Sequence, residues 1–261
     1  MQAGLDDFVD LRNKVIGDLV LHHAGYAILS HTWLQPRHGH REVVFRDATA
    51  LKDSMWASIR DAQGPGYRKL VNFCDIAGKH QMAFAWMDTI CINKDSTSEL
   101  EESIRSMYRW YRNSSICIVY LSQTTSLEDL TNDRWFTRGW TLQELLAPKR
   151  IEFYDFDWIK LATFNKTDYG SIYRPGSVNL SVLQKIEEIT GIALGHLWRF
   201  EPGIQRIGVA PIMVWAAKRE TTRGEDLAYS LMGIFGVSFS IAYGEGAERA
   251  FFRLVEAILS S

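Results

Sequence analysis

Short apolar runs alternate with stretches of helical periodicity over the first 156 residues. "GYAILSHTW" (25–33) is apolar until it stops at Ser30-His31-Thr32, which predicts a strand with a polar end. "GYRKLVNFCDIAGKH" (66–80) sets Leu70, Phe73 and Ala77 on one side, an amphipathic helix closed by Gly78. "MAFAWMDTICIN" (82–93) predicts a second buried strand, with Asp88 where the apolar run ends. Ser96-x-x-Glu99 matches a capping box, and Ile104, Met107, Tyr108 and Tyr111 recur behind it at helical spacing. "SSICIVYLSQ" (114–123) is β-branched and unbroken, a third strand ending at Leu121-Ser122, and 124–133 reads as a polar loop. In "RWFTRGWTLQELLAPKR" (134–150) the "WTLQELLA" part predicts a helix stopped by Pro148, followed by a strand, "RIEFYDF" (150–156). Strands and helices in this order predict an α/β fold whose parallel sheet is covered on both faces by helices. The near-continuous apolar strands agree, since strands buried on both faces do not alternate.

Beyond residue 156 the pattern weakens. Residues 165–177 read as loop and "SVLQKIEEITGI" (181–192) as a helix. "PIMVWAAKR" (211–219), a helix opened by Thr222-x-x-Glu225, and "GEGAERAFFRLVEAIL" (244–259) make the remainder mainly helical. Gly-Glu-Gly at 244–246 does not complete a dinucleotide fingerprint, and no P-loop occurs.

At 261 residues the chain suits one large domain or two small ones, with a large core. A net charge of -2 gives no electrostatic reason to expect nucleic acid or an acidic membrane as partner. The three cysteines, Cys74, Cys91 and Cys117, are odd in number and scattered, which predicts neither a disulfide framework nor a CxxC metal pair. With no signal peptide or bilayer-spanning run, the expected location is cytoplasmic, and the sequons at Asn113, Asn165 and Asn179 are read as chance. His38-x-His40 in "RHGHR" is either a metal pair or two solvated loop histidines. Nine tryptophans are unusual, and several lie beside polar clusters, where an indole serves as core filler or as the wall of a site for a flat ligand.

In an open parallel sheet the ligand crevice lies beyond the carboxyl ends of the strands. Ser30-His31-Thr32-Trp33, Asp88-Thr89 and Ser122-Gln123 stand at those ends and are expected to gather at one rim. Glu144 is in the first turn of the helix after the third strand, near the same rim. Two readings of it stay open: an acid facing a pocket walled by Trp140 and Trp33, or the capping partner in Thr141-x-x-Glu144. Trp135, Trp140 and Trp33 are core or ligand wall. His31 is a general base or a structural hydrogen-bonding residue, and Asp88 a site residue or a partner of backbone N–H groups. Arg134 and Arg138 bind phosphate or form ion pairs.

The motifs themselves carry a resemblance. "YAILSHTW" (26–33), "WMDTICIN" (86–93), "SIRSMYRWYRNSSICIVYLS" (103–122), "RWFTRGWTLQELLAP" (134–148), "AAKRETTRGEDLAYSLMGIFGV" (216–237) and "YGEGAERAFFRL" (243–254) resemble the fungal heterokaryon incompatibility (HET) domain. The likeness runs from Tyr26 to the C-terminus and leaves 1–25 outside it. It departs from the family in a basic "QPRHGHR" insertion and in Asn93-Lys94 after the second strand. It implies a cytosolic fungal protein that triggers programmed cell death after non-self recognition. The chain is expected to be either a HET domain cut from a larger receptor or a short stand-alone protein. The order of strand ends followed by Trp140-Thr141-Leu142-Gln143-Glu144-Leu145 is similar to Toll/interleukin-1 receptor (TIR) domains, with threonine where that family has cysteine. This implies a TIR-like, flavodoxin-like core over 26–156 and a helical part of the same domain over 157–261. In enzymatic TIR domains the matching glutamate cleaves NAD, so the resemblance makes Glu144 catalytic and Ser30, His31, Trp33, Asp88, Ser122, Arg138 and Trp140 substrate-binding. NAD is then substrate, with no separate cofactor and no metal. The implied partners are NAD or a related nucleotide, further copies of the chain, and an NLR-type receptor or other HET-domain proteins; no nucleic acid or membrane is expected. The competing expectation is a non-catalytic signalling module that kills by homo-oligomerisation. The "RETTRGEDLAYSLMG" block reads as ion pairs fixing a helix start, with a substrate role as the alternative, and the helical part is expected to cover one side of the pocket.

Overall fold

Alternate residues of the central strands enter two opposite cores, one on each face of the sheet. In the computed structural model, which describes residues 24–34, 41–50, 64–167, 180–203 and 207–261, the chain runs β1 (Tyr26–His31), α1 (Phe45–Ala50), α2 (Pro65–Lys79), β2 (Phe84–Trp86), α3 (Asp88–Cys91), α4 (Thr97–Asn113), β3 (Ile116–Tyr120), α5 (Thr141–Leu146), β4 (Arg150–Tyr154) and β5 (Lys160–Asn165). The helices α6 (Leu180–Thr190), α7 (Leu194–Arg199), α8 (Val209–Ala216), α9 (Asp226–Tyr229), α10 (Met232–Phe235) and α11 (Ala247–Leu259) follow. The His38-x-His40 pair and most of the first 25 residues lie outside the described residues.

The sheet order is β2-β1-β3-β4-β5, that of a doubly wound α/β fold. β1 pairs parallel with β2 and β3, and β3 with β4; only β5 is antiparallel, folded back on β4 as a hairpin. Ala27, Leu29, Ile116, Ile118 and Tyr120 pack with Leu70, Phe73 and Ala77 of α2 on one face. Ile28, Cys117, Val119, Ile151 and Phe153 pack on the other face with α4, α5 and the C-terminal helices in one continuous core. Ile104, Met107, Tyr108 and Tyr111 all point into that core.

Several sequence expectations are corrected. α2 continues through Gly78 to Lys79, and the left-handed residue after it is Gln81 (φ 58°). The 82–93 run forms only a three-residue strand at the sheet edge with Phe84 60% exposed, because β2 has a neighbour on one side alone. Ser96 accepts from the Glu99 N–H (3.4 Å), but the Glu99 carboxylate accepts from Asn93 N (2.9 Å), so half the capping box forms. β5 has no counterpart in the sequence reading: "KLATFN" buries only Ala162 and Phe164, too short an alternation to stand out.

The contact of α10 with α4 leaves no room for a side chain at Gly233, where a Cβ would lie 2.2 Å from the Tyr108 Cβ. Gly233→Ala is expected to destabilise the fold by about 1–3 kcal/mol, the usual range for overpacking a core. Urea unfolding measures it, and an unchanged midpoint would mean that α10 moves aside freely.

Candidate functional site

Ser30 and His31 are neighbours at the end of β1, so their side chains leave opposite faces of the sheet. Ser30 follows Ile28 towards α5, where its hydroxyl donates to Glu144 Oε2 (2.5 Å). Trp135, fully buried, donates its indole N–H to the same Ser30 oxygen (2.7 Å). An indole can only donate, so the serine proton is directed onto the glutamate. His31 follows Ala27 and Leu29 towards α2: its Nδ1 is 3.0 Å from Lys69 Nζ, and its Nε2 is 2.9 Å from Asp88 Oδ1.

The two readings of Glu144 are now resolved. The N-cap position of α5 is Trp140 and carries no side-chain cap. Thr141 is unavailable for capping, since its hydroxyl donates to the Trp135 carbonyl (2.5 Å) and accepts from Arg219 Nη1 (2.8 Å). Glu144, a residue 8% exposed, instead lines a cavity of about 300 Å³. His31, Trp33, Asp88, Arg138 and Trp140 line the same cavity, with Ile92, Leu100, Met107 and Tyr111 as a further wall. Ser30 acts from behind Glu144. Ser122 is not brought in: its hydroxyl lies against Thr32 Oγ1 (3.3 Å). The chain after β3 turns away, held by Asp133, whose Oδ2 accepts from Gln123 N (2.8 Å) and Thr124 Oγ1 (3.1 Å). Two strand ends meet at the cavity, not three.

The remaining wall comes from the C-terminal part. Gly139 N donates to the Glu220 carbonyl (2.9 Å) and Glu220 N to the Thr137 carbonyl (2.6 Å), which lays the 220 strand of chain along the approach to α5. A Cβ on Gly139 would come within 2.5 Å of the Thr221 methyl, so a glycine permits this approach. Thr222, Arg223, Asp226 and Tyr243 thereby reach the cavity. The 219–233 block thus anchors the chain through hydrogen bonds, where ion pairs were expected, and also supplies residues to the pocket wall. Glu225 does not cap with Thr222; it accepts from Gly244 N (2.9 Å) and Gly246 N (3.2 Å), while Thr222 accepts from Arg138 Nη1 (3.1 Å). Arg134 is exposed and stays out of the cavity.

The charges divide sharply. Burial pushes the Glu144 carboxyl up to about 8; the Ser30 hydrogen bond opposes this and the Asp88 charge adds to it. Burial also raises Asp88, but there His31, Lys94 and Trp33 outweigh it and hold the carboxylate well below its ordinary range. Asp88 Oδ2 accepts from Trp33 Nε1 (2.9 Å) and from Lys94 Nζ (3.4 Å). Lys94 sits 3.5 Å over the centre of the Trp33 ring, a cation on an indole face. Burial raises Asp226, against the Tyr243 hydroxyl that donates to it (2.7 Å). Two acids raised by burial, Glu144 and Asp226, therefore share the cavity and its aromatic walls with one fixed anion, Asp88.

With this geometry in hand, comparison with known proteins becomes informative. Residues 26–129 match the family profile "Heterokaryon incompatibility protein (HET)". The chain is also 40% identical over 245 residues to the "Vegetative incompatibility protein HET-E-1" of Podospora anserina, an alignment covering 89% of this chain. The chain contains a heterokaryon incompatibility (HET) domain. It spans 16% of the length of that relative. No solved structure matches it. The profile match takes in Ser30, His31, Trp33 and Asp88 of the HET domain, whereas Arg138, Trp140 and Glu144 fall beyond it. Among the described residues no helix is long and apolar enough to cross a membrane.

Sequence reasoning did not single out Lys94, Tyr111, Arg223, Asp226 and Tyr243 as cavity residues, or Trp135 as the partner of Ser30. Lys94 carried a local signal, a cation six residues past Asp88 on the far side of a one-turn helix. Arg223 and Asp226 lie in the block for which a substrate role was the alternative expectation, and it is the pairing at Gly139 that brings them near.

Proposed function

We propose that this HET domain is an effector of cell death in fungal non-self recognition and that it cleaves NAD at the nicotinamide–ribose bond, with Glu144 as the catalytic residue. The observation that carries this reading is Glu144 itself: a buried carboxyl at the wall of a cavity, oriented by Ser30, with the Trp33 and Trp140 indoles lining the same cavity. The similarity to a vegetative incompatibility protein supports the biological role, and the TIR-like order of motifs supports the chemistry.

Breaking this bond releases a neutral nicotinamide and builds positive charge on the ribose, to which water adds with loss of a proton to give the ADP-ribose product. A leaving group of that kind needs no proton, so the protein's task is to stabilise the sugar cation. A carboxylate held in a water-poor site does this far better than one in bulk water. The nicotinamide ring of NAD is itself a flat cation, and the Trp33 face with Asp88 beside it already hosts a cation, the Lys94 ammonium. Arg138 and Arg223 at the same cavity provide guanidinium groups for the phosphates. A cavity of about 300 Å³ is at the small end for ligand sites, suited to the nicotinamide riboside end with the rest of the dinucleotide reaching outwards.

The purified domain incubated with NAD is expected to release nicotinamide, measured by chromatography; release no greater than that of Glu144→Ala overturns the proposal. The ionised glutamate is the active form, so kcat/KM should climb with pH to a plateau beyond about 8. Asp88→Asn removes a negative charge that raises Glu144, and should move this limb to lower pH. A limb that stays in place would mean that another group controls it.

A further inference from the structure

On α2, positions 66, 69, 70, 73, 76 and 77 form the buried stripe, and one of them is a lysine. Lys69 is as buried as its apolar neighbours, with its side chain 2% exposed, and Glu42 beside it is 6% exposed. Removing two such charges from water is costly, and an apolar pair in their place is often no worse for stability. The ammonium has three protons and meets three acceptors: Glu42 Oε1, His31 Nδ1 (3.0 Å) and the Thr32 carbonyl (3.2 Å). Lysine only donates, so His31 Nδ1 is the acceptor. The imidazole proton is then on Nε2, where it points at Asp88 Oδ1 (2.9 Å). Both ring nitrogens are thereby committed, which leaves His31 no lone pair with which to act as a base.

We propose that Glu42, Lys69 and His31 form a buried positioning chain that crosses beneath the end of β1 and fixes Asp88 against the cavity. Lys69 selects the Nε2–H tautomer of His31, and His31 holds one oxygen of Asp88. The other Asp88 oxygen is then free to hold Trp33 and Lys94, the outer wall of the pocket. Glu42 Oε1 also accepts from Leu34 N (2.8 Å), so the same acid anchors the chain immediately after Trp33. His31 and Lys69 are positioning residues here and touch no reacting atom. The influence of the chain on NAD cleavage rests on the proposed function; the tautomer does not.

The test has two arms. Nitrogen-15 NMR of the imidazoles, with the His31 signal identified by its loss in His31→Gln, is expected to show one tautomer, protonated at Nε2 alone near neutral pH. A proton on Nδ1, or an imidazolium, overturns the proposal whether or not the protein cleaves NAD. In the Lys69→Met, Glu42→Gln double variant, which removes both buried charges together, His31 should lose this single tautomer and nicotinamide release should fall by about 10–100-fold, as when partners that orient a site residue are removed. The same double variant made in an Asp88→Asn background should add almost no further loss, because the chain acts through Asp88. An unchanged His31 spectrum in the double variant, or an equal loss in the Asp88→Asn background, overturns it.

Discussion

Glu144→Gln is expected to lower nicotinamide release from NAD by at least about 10²–10³-fold, the scale on which enzymes lose rate when one electrostatic partner of the transition state is removed. The amide keeps the size of the side chain and an oxygen that accepts the Ser30 hydroxyl, whose proton is directed there by the Trp135 indole. What glutamine lacks is the negative charge. Because nicotinamide departs neutral, loss of the acid cannot be offset by supplying a proton from solvent. Little change is therefore expected in KM, and most of the loss in kcat. Wild-type rates in Glu144→Gln would dispose of the catalytic role while leaving the cavity and its walls as described.

The same substitution should make the protein more stable. Glu144 titrates at about 8 in the fold against an ordinary value of 4.5. A carboxyl raised in this way binds its proton more tightly folded than unfolded. Its contribution is complete below 4.5, where both states are protonated, and is lost progressively as pH rises towards about 8. Glutamine has no such dependence. The stability of Glu144→Gln relative to the native protein should grow across this window to the order of a few kcal/mol, or roughly 5–10 °C in melting temperature for a chain of this size. Melting curves across the window measure it. A variant that melts no higher than the native chain at the alkaline end, or a gap that persists under acid, would show that Glu144 is not held protonated by burial.

The amino-acid sequence by itself determined β1, β3 and β4, because their apolar runs had to be buried, and it determined the inward face of α4 through the spacing of Ile104, Met107, Tyr108 and Tyr111. It also placed Ser30, His31, Trp33, Asp88, Arg138, Trp140 and Glu144 near strand and helix ends, where a doubly wound sheet has its crevice. Such signals are local, since periodicity and punctuation are written within a dozen residues. Only the tertiary structure decided between the two fates of Glu144, because its partner Ser30 lies 114 residues away and capping is excluded by what occupies Thr141. Tertiary structure likewise decided that β2 is an exposed edge, that Ser122 turns aside, that β5 joins the sheet and that Thr222, Arg223 and Asp226 wall the cavity. Lys69 is the instructive case between the two. It shares the buried stripe of α2 with Leu70, Phe73 and Ala77, the residues the spacing picked out, but the acid, imidazole and carbonyl that make its burial tolerable are gathered from β1 and the segment after it. Packing between distant segments sets which polar groups find partners, and those pairings are not encoded at any one position of the chain.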